Sequence, residues 1–293
     1  MADKRMTIDD IVDQLEDGMT IGLGGWATRR KPMALARAIA RSKVKDLTVV
    51  TYGGPDVGVL ALSGKIKKLV FAFVSMDQIP LEPHFRAARQ RGDFEVLELD
   101  EGLYQLGLQA AAMRLPFLPS FIGLGTDLVK QPELSKTVTS PFEDGRKLLA
   151  MPAIPLDVAL VHVHRSDERG NILALSPDPL FDELLARAAK KTFVTTEKIV
   201  TTAELDMRAN RHLNLFERAL VSGVAEVPYG AHPTSADPDY HIDMGHLKTY
   251  SDAATSPEAL ADYRARFIDV SHDDYVANVG GADTINALRK PAY

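Results

Sequence analysis

The sequence predicts an α/β protein built on an open, mainly parallel sheet with helices on both faces. Its candidate strands are continuous apolar runs, such as residues 47–51 and 158–163, rather than alternating patterns. Strands that are buried on both faces have this composition. The runs alternate with segments of helical periodicity, and glycine-rich turns at 22–25 and 52–55 follow two of them. This order is typical of strands that pair in parallel and are joined by helices.

The first half of the chain shows the alternation most clearly. Thr7 and Asp10 form a capping-box pattern before apolar residues at helical spacing, and Gly18 is expected to end that helix. Pro32 opens a second helix at a position where its missing N–H is tolerated. The predicted strands cover residues 19–23, 47–51, 69–74 and 94–99, and further helices are predicted at 57–62, 83–89 and 102–115.

The second half is less regular. Residues 116–152 are rich in Pro, Gly, Ser and Thr, which predicts long loops, and the polar segment 229–250 is predicted to be irregular. The sheet is expected to resume at 158–163, with strands at 192–196 and within 218–227, and with helices at 182–190, 257–267 and 282–289. Because the chain has no internal repeat, a single domain over residues 1–293 is predicted.

Composition excludes several classes of function. The net charge of −6 argues against a nucleic-acid partner. The absence of cysteine excludes disulfides, thiolate metal sites and a cysteine nucleophile. The N-terminus has no apolar core of a signal peptide, and the longest apolar stretches fall far short of the roughly 20 residues of a membrane span. We therefore expect a cytoplasmic protein without a membrane partner.

Three turns are candidate ligand sites, because open parallel sheets bind ligands beyond the carboxyl ends of their strands. The first is GLGGWATRRKP at residues 22–32. Its glycines could bring N–H groups to a phosphate, carboxylate or thioester oxygen. A tight turn followed by a solvated basic run explains the pattern equally well. The candidate binding residues in this turn are Gly24, Gly25, Trp26, Arg29, Arg30 and Lys31.

The other two turns follow the second and fourth predicted strands. Gly53 and Gly54 are a second candidate binding site, although a Gly-Gly-Pro sequence is sufficiently explained as a turn. Asp100 and Glu101 leave a buried strand at the start of a helix. A carboxylate there could act as a base in a cleft or could simply cap the helix.

Histidines give a weaker signal. His162 and His164 alternate on a strand and so share one face, where they could bind a metal with a third ligand. Partly buried polar histidines explain the same spacing, so no metal site is predicted. His232 is interpreted as a residue that shapes a loop or contacts a partner.

The first turn also carries a family resemblance. The stretch DGMTIGLGGWATRRKP resembles the alpha-subunit signature of family I CoA transferases, with Asp17, Gly18, Gly24, Gly25 and Pro32 at the matching positions. The later stretch LVHVHRSDERGNI resembles the same family's strand and turn. The resemblance extends to about residue 236 and implies the NagB/RpiA-like CoA-transferase fold.

Two departures from the signature point to a branch of that family. Trp26 stands where the signature has Phe, and Arg30 stands where it has Gly. Together with DEGLYQLGLQAAAMRLPFLPS, they resemble hydrolases that open a ring of a cyclic β-keto acyl-CoA in steroid (cholesterol) degradation. The resemblance implies that Glu101 is the catalytic acid–base residue. It also implies a beta subunit of the same fold, in an αβ or α2β2 assembly, and no cofactor other than the CoA of the substrate.

Two alternatives stay open at this point. The chain could be the alpha subunit of a true CoA transferase, in which the nucleophilic glutamate lies on the beta chain. It could also be a metabolite-binding protein of the same fold without enzymatic activity, since fold alone does not fix function.

Overall fold

The computed structural model describes residues 3–176 and 178–288, and its architecture rests on two sheets. Eight strands form the larger sheet and three form a smaller antiparallel one. In chain order the strands are β1 (Thr20–Leu23), β2 (Leu47–Gly53), β3 (Ile66–Val74), β4 (Glu95–Glu98), β5 (Phe117–Ser120), β6 (Thr137–Thr139), β7 (Lys147–Pro152), β8 (Leu156–Ser166), β9 (Ile172–Leu173), β10 (Ala189–Ile199) and β11 (Val221–Glu226).

The larger sheet has the order β11-β10-β8-β1-β2-β3-β4, and every pair along this path is parallel. Among the described strands of this sheet, β9 is the one that pairs antiparallel, with β8. The predicted mainly parallel α/β fold is therefore confirmed. All strands of the path end at the same edge of the sheet, so the turns that follow β1, β2 and β4 lie along one side of the molecule.

Helices cover both faces of this sheet. Val49 packs in one core with Leu35 and Ile39, whereas its neighbour Val50 packs in a second core with Leu108. The helices are α1 (Ile8–Val12), α2 (Met33–Arg41), α3 (Pro55–Leu62), α4 (Pro83–Arg91), α5 (Glu101–Ala112), α6 (Asp182–Ala188), α7 (Thr202–Leu205), α8 (Met244–Asp252), α9 (Pro257–Tyr263), α10 (His272–Asn278) and α11 (Gly281–Asn286). In the described part of the chain, no helix is long and apolar enough to cross a membrane.

Local sequence explains most helix boundaries in the first half. Thr7 and Asp10 form the predicted capping box of α1. However, α1 ends at Val12, and Gly18 instead takes a left-handed φ of 80° in the turn before β1. Pro55 and Pro83 lie in the first turns of α3 and α4, where a helix does not need the missing N–H.

The prediction of long loops over residues 116–152 is confirmed for the connection 121–136 and wrong for the strands on either side of it. The antiparallel sheet β5-β7-β6 forms there, and β5 runs back along α5. Leu149 and Met151, two residues apart on β7, pack in one core with Leu103 and Leu108 of α5. This burial gives the small sheet a reason to form, despite a composition that is typical of turns.

The polar segment 229–250 is also more ordered than predicted. Its last part forms α8, whose first turn is capped by the Asp243 side chain, which accepts a hydrogen bond from the His246 N–H. Helix α10 was not predicted. The last predicted helix is found as α11, and its predicted end at Arg289 lies outside the described residues.

Candidate active site

Arg30 and Asp182 form an ion pair beneath the glycine-rich turn after β1. Arg30 Nη1 lies 2.8 Å from Asp182 Oδ2 and donates to the His162 carbonyl, and the Arg30 side chain is only 1% exposed. Asp182 Oδ1 also accepts the N–H of Gly25 at 2.9 Å. Burial raises the pKa of the Asp182 carboxyl, and the positive charge of Arg30 opposes this rise. The carboxylate thus fixes the turn to the start of α6.

Lys31 makes a second buried ion pair next to the first. Its Nζ lies 2.9 Å from Asp56 Oδ2, donates to Thr51 Oγ1 and the Tyr52 carbonyl, and is completely buried. Asp56 Oδ1 accepts the N–H of Gly54 at 2.7 Å. Burial lowers the pKa of the Lys31 amine, and Asp56 opposes the decrease. We call Arg30, Asp182, Lys31 and Asp56 the buried ion-pair layer.

The buried ion-pair layer corrects two expectations. Lys31 does not reach the surface, so its expected contact with a ligand is not available in this geometry. The Gly24 and Gly25 N–H groups are also engaged within the protein, because the Gly24 N–H donates to the Leu160 carbonyl and the Gly25 N–H donates to Asp182. Gly25 is required for backbone reasons: its φ is 77°, and a Cβ there would lie 2.6 Å from the Arg29 carbonyl oxygen.

Gly53 and Gly54 also have structural roles. A Cβ on Gly54 would lie 1.9 Å from the Ala27 carbonyl oxygen, so the turns after β1 and β2 approach too closely for any side chain. A Cβ on Gly53 would lie 2.8 Å from methyl groups of Val57 and Val74. The two turns therefore form one packed unit above the buried ion-pair layer.

Aromatic rings cover this unit. Trp26 stacks on Tyr52 with ring centroids 4.5 Å apart and planes inclined by 21°, and Phe73 and Phe181 lie 5.0 and 5.8 Å from Trp26. Trp26, Phe73 and Phe181 are each partly exposed, whereas Tyr52 is buried. We call these four rings the aromatic platform. It offers a partly exposed apolar surface at the edge where the strands end.

Arg29 is the one residue of the basic triplet whose charged group reaches the surface. Its guanidinium lies 5.5 Å from the centroid of the Trp26 ring and pairs with Asp178, with 3.0 Å between Nη1 and Oδ2. The side chains of Arg29 and Asp178 are 41% and 44% exposed. The triplet thus divides into one surface cation and two interior cations.

Glu101 lies on the other side of the aromatic platform, at the first residue of α5. The Tyr52 hydroxyl donates to the Glu101 carbonyl at 3.3 Å, which connects the helix start to the platform. Asp100 is the helix cap and accepts the N–H of Leu103 at 2.7 Å. The Glu101 residue is exposed, and among the described residues no hydrogen bond or ion pair engages its carboxylate. The two acidic residues thus have separate roles, one capping and one open to solvent.

Unusual backbone conformations cluster around the platform. Ala27, Arg30, Asp77, Leu180 and Phe181 all have positive φ, between 48° and 65°. Each such residue costs about 1 kcal/mol or more, and clusters of them occur most often at ligand sites. The carboxylate of Asp77 accepts hydrogen bonds from the side chain and the N–H of Thr28, which holds the turn after β1.

A cleft of about 430 Å³ opens beside Arg29. It lies beyond the end of β1 and is lined by side chains that include Asp178, Leu180, Asp237 and Pro238. Arg30 also borders the cleft, although its guanidinium is held by Asp182. Trp26 and Tyr52 form a chain of contacts from Arg29 at the cleft to Glu101 at the start of α5.

The two strand histidines share a face of β8 but have different partners. His162 lies between Thr195 Oγ1 and Glu197 Oε1, at 2.9 and 2.8 Å. His164 contacts the Asp237 carbonyl through Nε2 and accepts the Leu175 N–H at Nδ1. Burial lowers the pKa of His164 to about 4, so this ring is neutral at pH 7. Within the described residues, no three His, Asp or Glu side chains are grouped as metal ligands.

His232 shapes a loop, as one of its two interpretations expected. Its Nδ1 contacts the Tyr275 hydroxyl at 2.7 Å, its Nε2 contacts Asp243 Oδ2 at 3.1 Å, and the ring is fully buried. Its carbonyl accepts a hydrogen bond from Arg37. The ring thus connects α10 to the segment that precedes α8.

Sequence reasoning missed the acidic partners of the basic triplet. Asp182 and Asp178 lie about 150 residues after the turn that they hold, and only the fold brings them there. Asp56 was easier to identify from the sequence, because it lies in the predicted second turn and follows Gly54 by two residues. An acidic residue in the first turn of a helix was the available signal for it.

Comparison with known proteins places the chain among acyl-CoA enzymes. Residues 5–221 match the Coenzyme A transferase family. The chain is 47% identical to the cholesterol ring-cleaving hydrolase IpdA subunit of Rhodococcus jostii, over 94% of this chain and 96% of that one. It is 45% identical to the IpdA subunit of Mycobacterium tuberculosis, over 95% of this chain and 98% of that one.

A solved structure agrees with this assignment. The glutaconate coenzyme A-transferase of Acidaminococcus fermentans superposes with a TM-score of 0.91 at 27% identity, over 98% of this chain and 96% of that one. The family resemblance and the fold class predicted from the sequence are thereby confirmed. With a family match that covers most of its length and relatives that align from end to end, the chain belongs to the coenzyme A transferase family.

Proposed function

We propose that this chain is one subunit of a hydrolase that cleaves a ring C–C bond of a cyclic β-keto acyl-CoA in cholesterol degradation. The observation that carries the proposal is the 47% identity to an IpdA subunit across nearly the full length of both chains. Identity of this degree over whole chains supports a shared reaction as well as a shared fold. The partly exposed aromatic platform supports an apolar acyl group.

Glu101 is the proposed general base. Its residue is exposed at the strand-end edge, and Asp100 already provides the helix cap, so the Glu101 carboxylate is available to accept a proton. A general base of this kind contributes roughly 10²- to 10⁴-fold to a rate. The Tyr52 hydroxyl, bonded to the Glu101 carbonyl, would hold the start of α5 in place.

The proposed reaction consumes one water molecule. Glu101 takes a proton from water, and the resulting hydroxide adds to the ring ketone. The tetrahedral intermediate collapses with cleavage of the ring C–C bond, which leaves a carboxylic acid on one side and a thioester enolate on the other. The enolate carbon then takes the proton back. Because Gly24 and Gly25 donate their N–H groups to protein acceptors, other donors would stabilise the enolate oxygen.

A second subunit would complete the site. The relatives are named as subunits, and Glu101 is exposed beside a small apolar surface. On that side Ile122 reaches the start of α5, where its Cδ1 would be 2.6 Å from a Cβ on Gly102, and Phe121 and Ile122 are 47% and 38% exposed. We propose a beta subunit of the same fold in an αβ or α2β2 assembly, acting in the cytoplasm and without a cofactor other than the CoA of the substrate.

Mass spectrometry of the reaction products tests the proposal. The chain is co-expressed with its partner subunit and incubated with a cyclic β-keto acyl-CoA. We expect a product that is heavier by one water molecule and still carries CoA, with ¹⁸O from labelled water in the new carboxylate. An unchanged ring after prolonged incubation with the assembled complex would contradict the proposal.

CoA transfer is the second candidate, favoured by the close superposition on glutaconate coenzyme A-transferase. It predicts a covalent thioester on a glutamate of the beta chain and ping-pong kinetics. In the same experiment, CoA would move to an added carboxylic acid while the ring stays intact. This outcome would assign the nucleophile to the partner and remove the catalytic role of Glu101.

A further inference from the structure

The outward face of α5 carries two polar side chains one helical turn apart. Glu101 and Gln105 are separated by four positions, and helix geometry places such residues side by side, with Cβ atoms about 5–6 Å apart. Glu101 is exposed and Gln105 is half-buried, whereas Leu103 and Tyr104 between them face the interior. The proposed base therefore has a carboxamide as its neighbour on the same face of the helix.

Tyr52 connects these two residues. Its hydroxyl donates to the Glu101 carbonyl at 3.3 Å, and in an α-helix that carbonyl also accepts the backbone N–H of Gln105. The Tyr52 oxygen thus lies close to the point where the Gln105 side chain begins. Burial raises the pKa of the Tyr52 hydroxyl, and a hydrogen bond with the Gln105 side chain opposes this rise. The Gln105 carboxamide is therefore held at the Tyr52 oxygen.

The chemistry of this contact fixes which end of the carboxamide faces Tyr52. A hydroxyl has one hydrogen, and Tyr52 gives it to the Glu101 carbonyl. The Tyr52 oxygen can then only accept, so Gln105 must donate to it through Nε2. The direction of the effect on the Tyr52 pKa agrees, because a donor stabilises the ionised form of a phenol. Gln105 Oε1 is left to accept a hydrogen bond beside the Glu101 carboxylate.

We propose that Gln105 and Glu101 together hold the water molecule that attacks the ring ketone. The water donates one hydrogen to the Glu101 carboxylate and the other to Gln105 Oε1, so that a lone pair of its oxygen faces the ketone carbon. Glu101 takes the first proton as the new C–O bond forms and the ketone π electrons move to the ketone oxygen. Gln105 takes no proton. The inference rests on the proposed function and adds a catalytic residue to it.

Tyr52 is a positioning residue in this arrangement. Its ring is buried between Trp26, with centroids 4.5 Å apart, and Tyr104, with centroids 4.3 Å apart. The hydroxyl is therefore held from the interior and fixes the carboxamide. Without the hydroxyl, the Gln105 carboxamide could rotate and present Nε2 to the water instead of Oε1. Tyr52 should then affect catalysis only through Gln105.

Steady-state ring opening by the complex with the partner subunit tests the role of Gln105. Gln105→Met keeps the length of the side chain but removes both of its polar atoms. Gln109→Met is a matched control, because Gln109 lies one turn further along α5 and is also half-buried. We expect Gln105→Met to lower kcat by roughly 10- to 100-fold, the size of effect that misplacement of a reacting group has, with KM unchanged.

Gln109→Met should match wild type in both constants. Equal kcat in the two methionine variants would overturn the inference. An increase in KM at unchanged kcat would overturn it as well, because it would assign Gln105 to substrate binding. Thermal unfolding of both variants is measured alongside, and we expect the same midpoint in each.

Double variants test whether the residues act on one water molecule. In a Glu101→Gln background, Gln105→Met should cause little further loss of kcat, because groups that act as a unit are not additive. Tyr52→Phe should lower kcat several-fold in wild type and leave it unchanged in Gln105→Met. Losses that multiply in the first pair would assign Gln105 to another step, and losses that multiply in the second would show that Tyr52 does not orient it. Either result would overturn the inference.

Failure of this inference is distinguishable from failure of the proposed function. A wild-type complex that leaves the ring intact would reject both. A complex that opens the ring, loses this activity in Glu101→Gln and keeps it in Gln105→Met would retain the hydrolase function and its base, and would reject only the role of Gln105.

Discussion

Arg29 and Arg30 are neighbours in sequence, but they belong to different parts of the molecule. Arg30, with Lys31, lies in the buried ion-pair layer, where each cation has a dedicated aspartate and is 0–1% exposed. Arg29 lies on the surface above this layer, with the aromatic platform, Asp178 and the cleft. The positive φ of Arg30, 50°, turns the chain between the two environments.

The difference shows that a basic triplet can be divided between the interior and the surface of a protein. The interior aspartates accept the N–H groups of Gly25 and Gly54, so the ion pairs position the two turns. The two turns carry Trp26 and Tyr52 of the aromatic platform. A buried ion pair contributes little net stability, but removal of one partner leaves an uncompensated charge. The interior pairs should therefore be sensitive to substitution and insensitive to salt, and the surface pair should show the opposite behaviour.

The largest expected effect is on catalysis, at the exposed residue Glu101. Glu101→Gln removes the proposed base, so turnover of the complex should fall by roughly 10²- to 10⁴-fold. Because the residue is exposed and Asp100 retains the helix cap, the midpoint of thermal unfolding should change little. Ring opening is measured by single-turnover product formation alongside calorimetry. Near-wild-type turnover would remove Glu101 from the mechanism.

The buried ion-pair layer should give the next effect, on stability. Asp182→Ala leaves the Arg30 guanidinium buried without a carboxylate and the Gly25 N–H without its acceptor. The free energy of unfolding should decrease by roughly 3–5 kcal/mol. Urea titration followed by circular dichroism measures it, and Asp182→Asn, which keeps an acceptor for Gly25, provides a milder variant if the alanine protein does not fold.

Asp178→Ala is the control for that experiment. Because its pair with Arg29 is exposed, the decrease should be at most about 1 kcal/mol. Equal losses for Asp182→Ala and Asp178→Ala would show that burial does not divide the triplet as described.

What could be predicted from the sequence also differs between features with local signals and features that depend on distant partners. The positions of Glu101 and the glycine turns at the strand-end edge could be predicted because their signals are local: a strand end, a helix start and a family motif. The surface position of Arg29 and the burial of Arg30 could not be distinguished, because their partners Asp178 and Asp182 lie about 150 residues away. Lys31 has a nearer partner, Asp56. The small sheet β5-β7-β6 was not predicted, for a related reason. Its strands have only three to six residues, and their burial depends on packing against α5.

Glu82 provides a comparison with the paired aspartates Asp56 and Asp182, because it is a buried carboxyl without a cation beside it. It caps α4 by accepting the Phe85 N–H, and burial raises its pKa to about 7. The folded pKa lies above the unfolded value near 4.5, so the native state binds the proton more tightly. Stability should therefore decrease as the pH rises from about 5 to 8, with a total contribution of roughly 3 kcal/mol.

Glu82→Gln removes this titration. The variant should match wild type near pH 5 and exceed it in stability at pH 8, as measured by urea titration at both values. Asp56→Asn is a useful contrast, because Asp56 pairs with Lys31 and its loss should destabilise the protein at both pH values. An identical pH dependence in wild type and Glu82→Gln would show that Glu82 is already ionised in the folded protein at pH 5.

The smallest expected effect is the coupling between Arg29 and Asp178. A double-mutant cycle with Arg29→Gln and Asp178→Asn should give about 0.2–1 kcal/mol at 0.15 M salt. At 1 M salt the screening length falls from about 8 Å to about 3 Å, so the coupling should approach zero. A parallel cycle with Arg30→Gln and Asp182→Asn should give a larger coupling that salt does not change, because both side chains are excluded from solvent. A surface coupling that survives 1 M salt would mean that the Arg29–Asp178 pair is shielded from solvent, which would contradict the 41% and 44% exposure of its side chains.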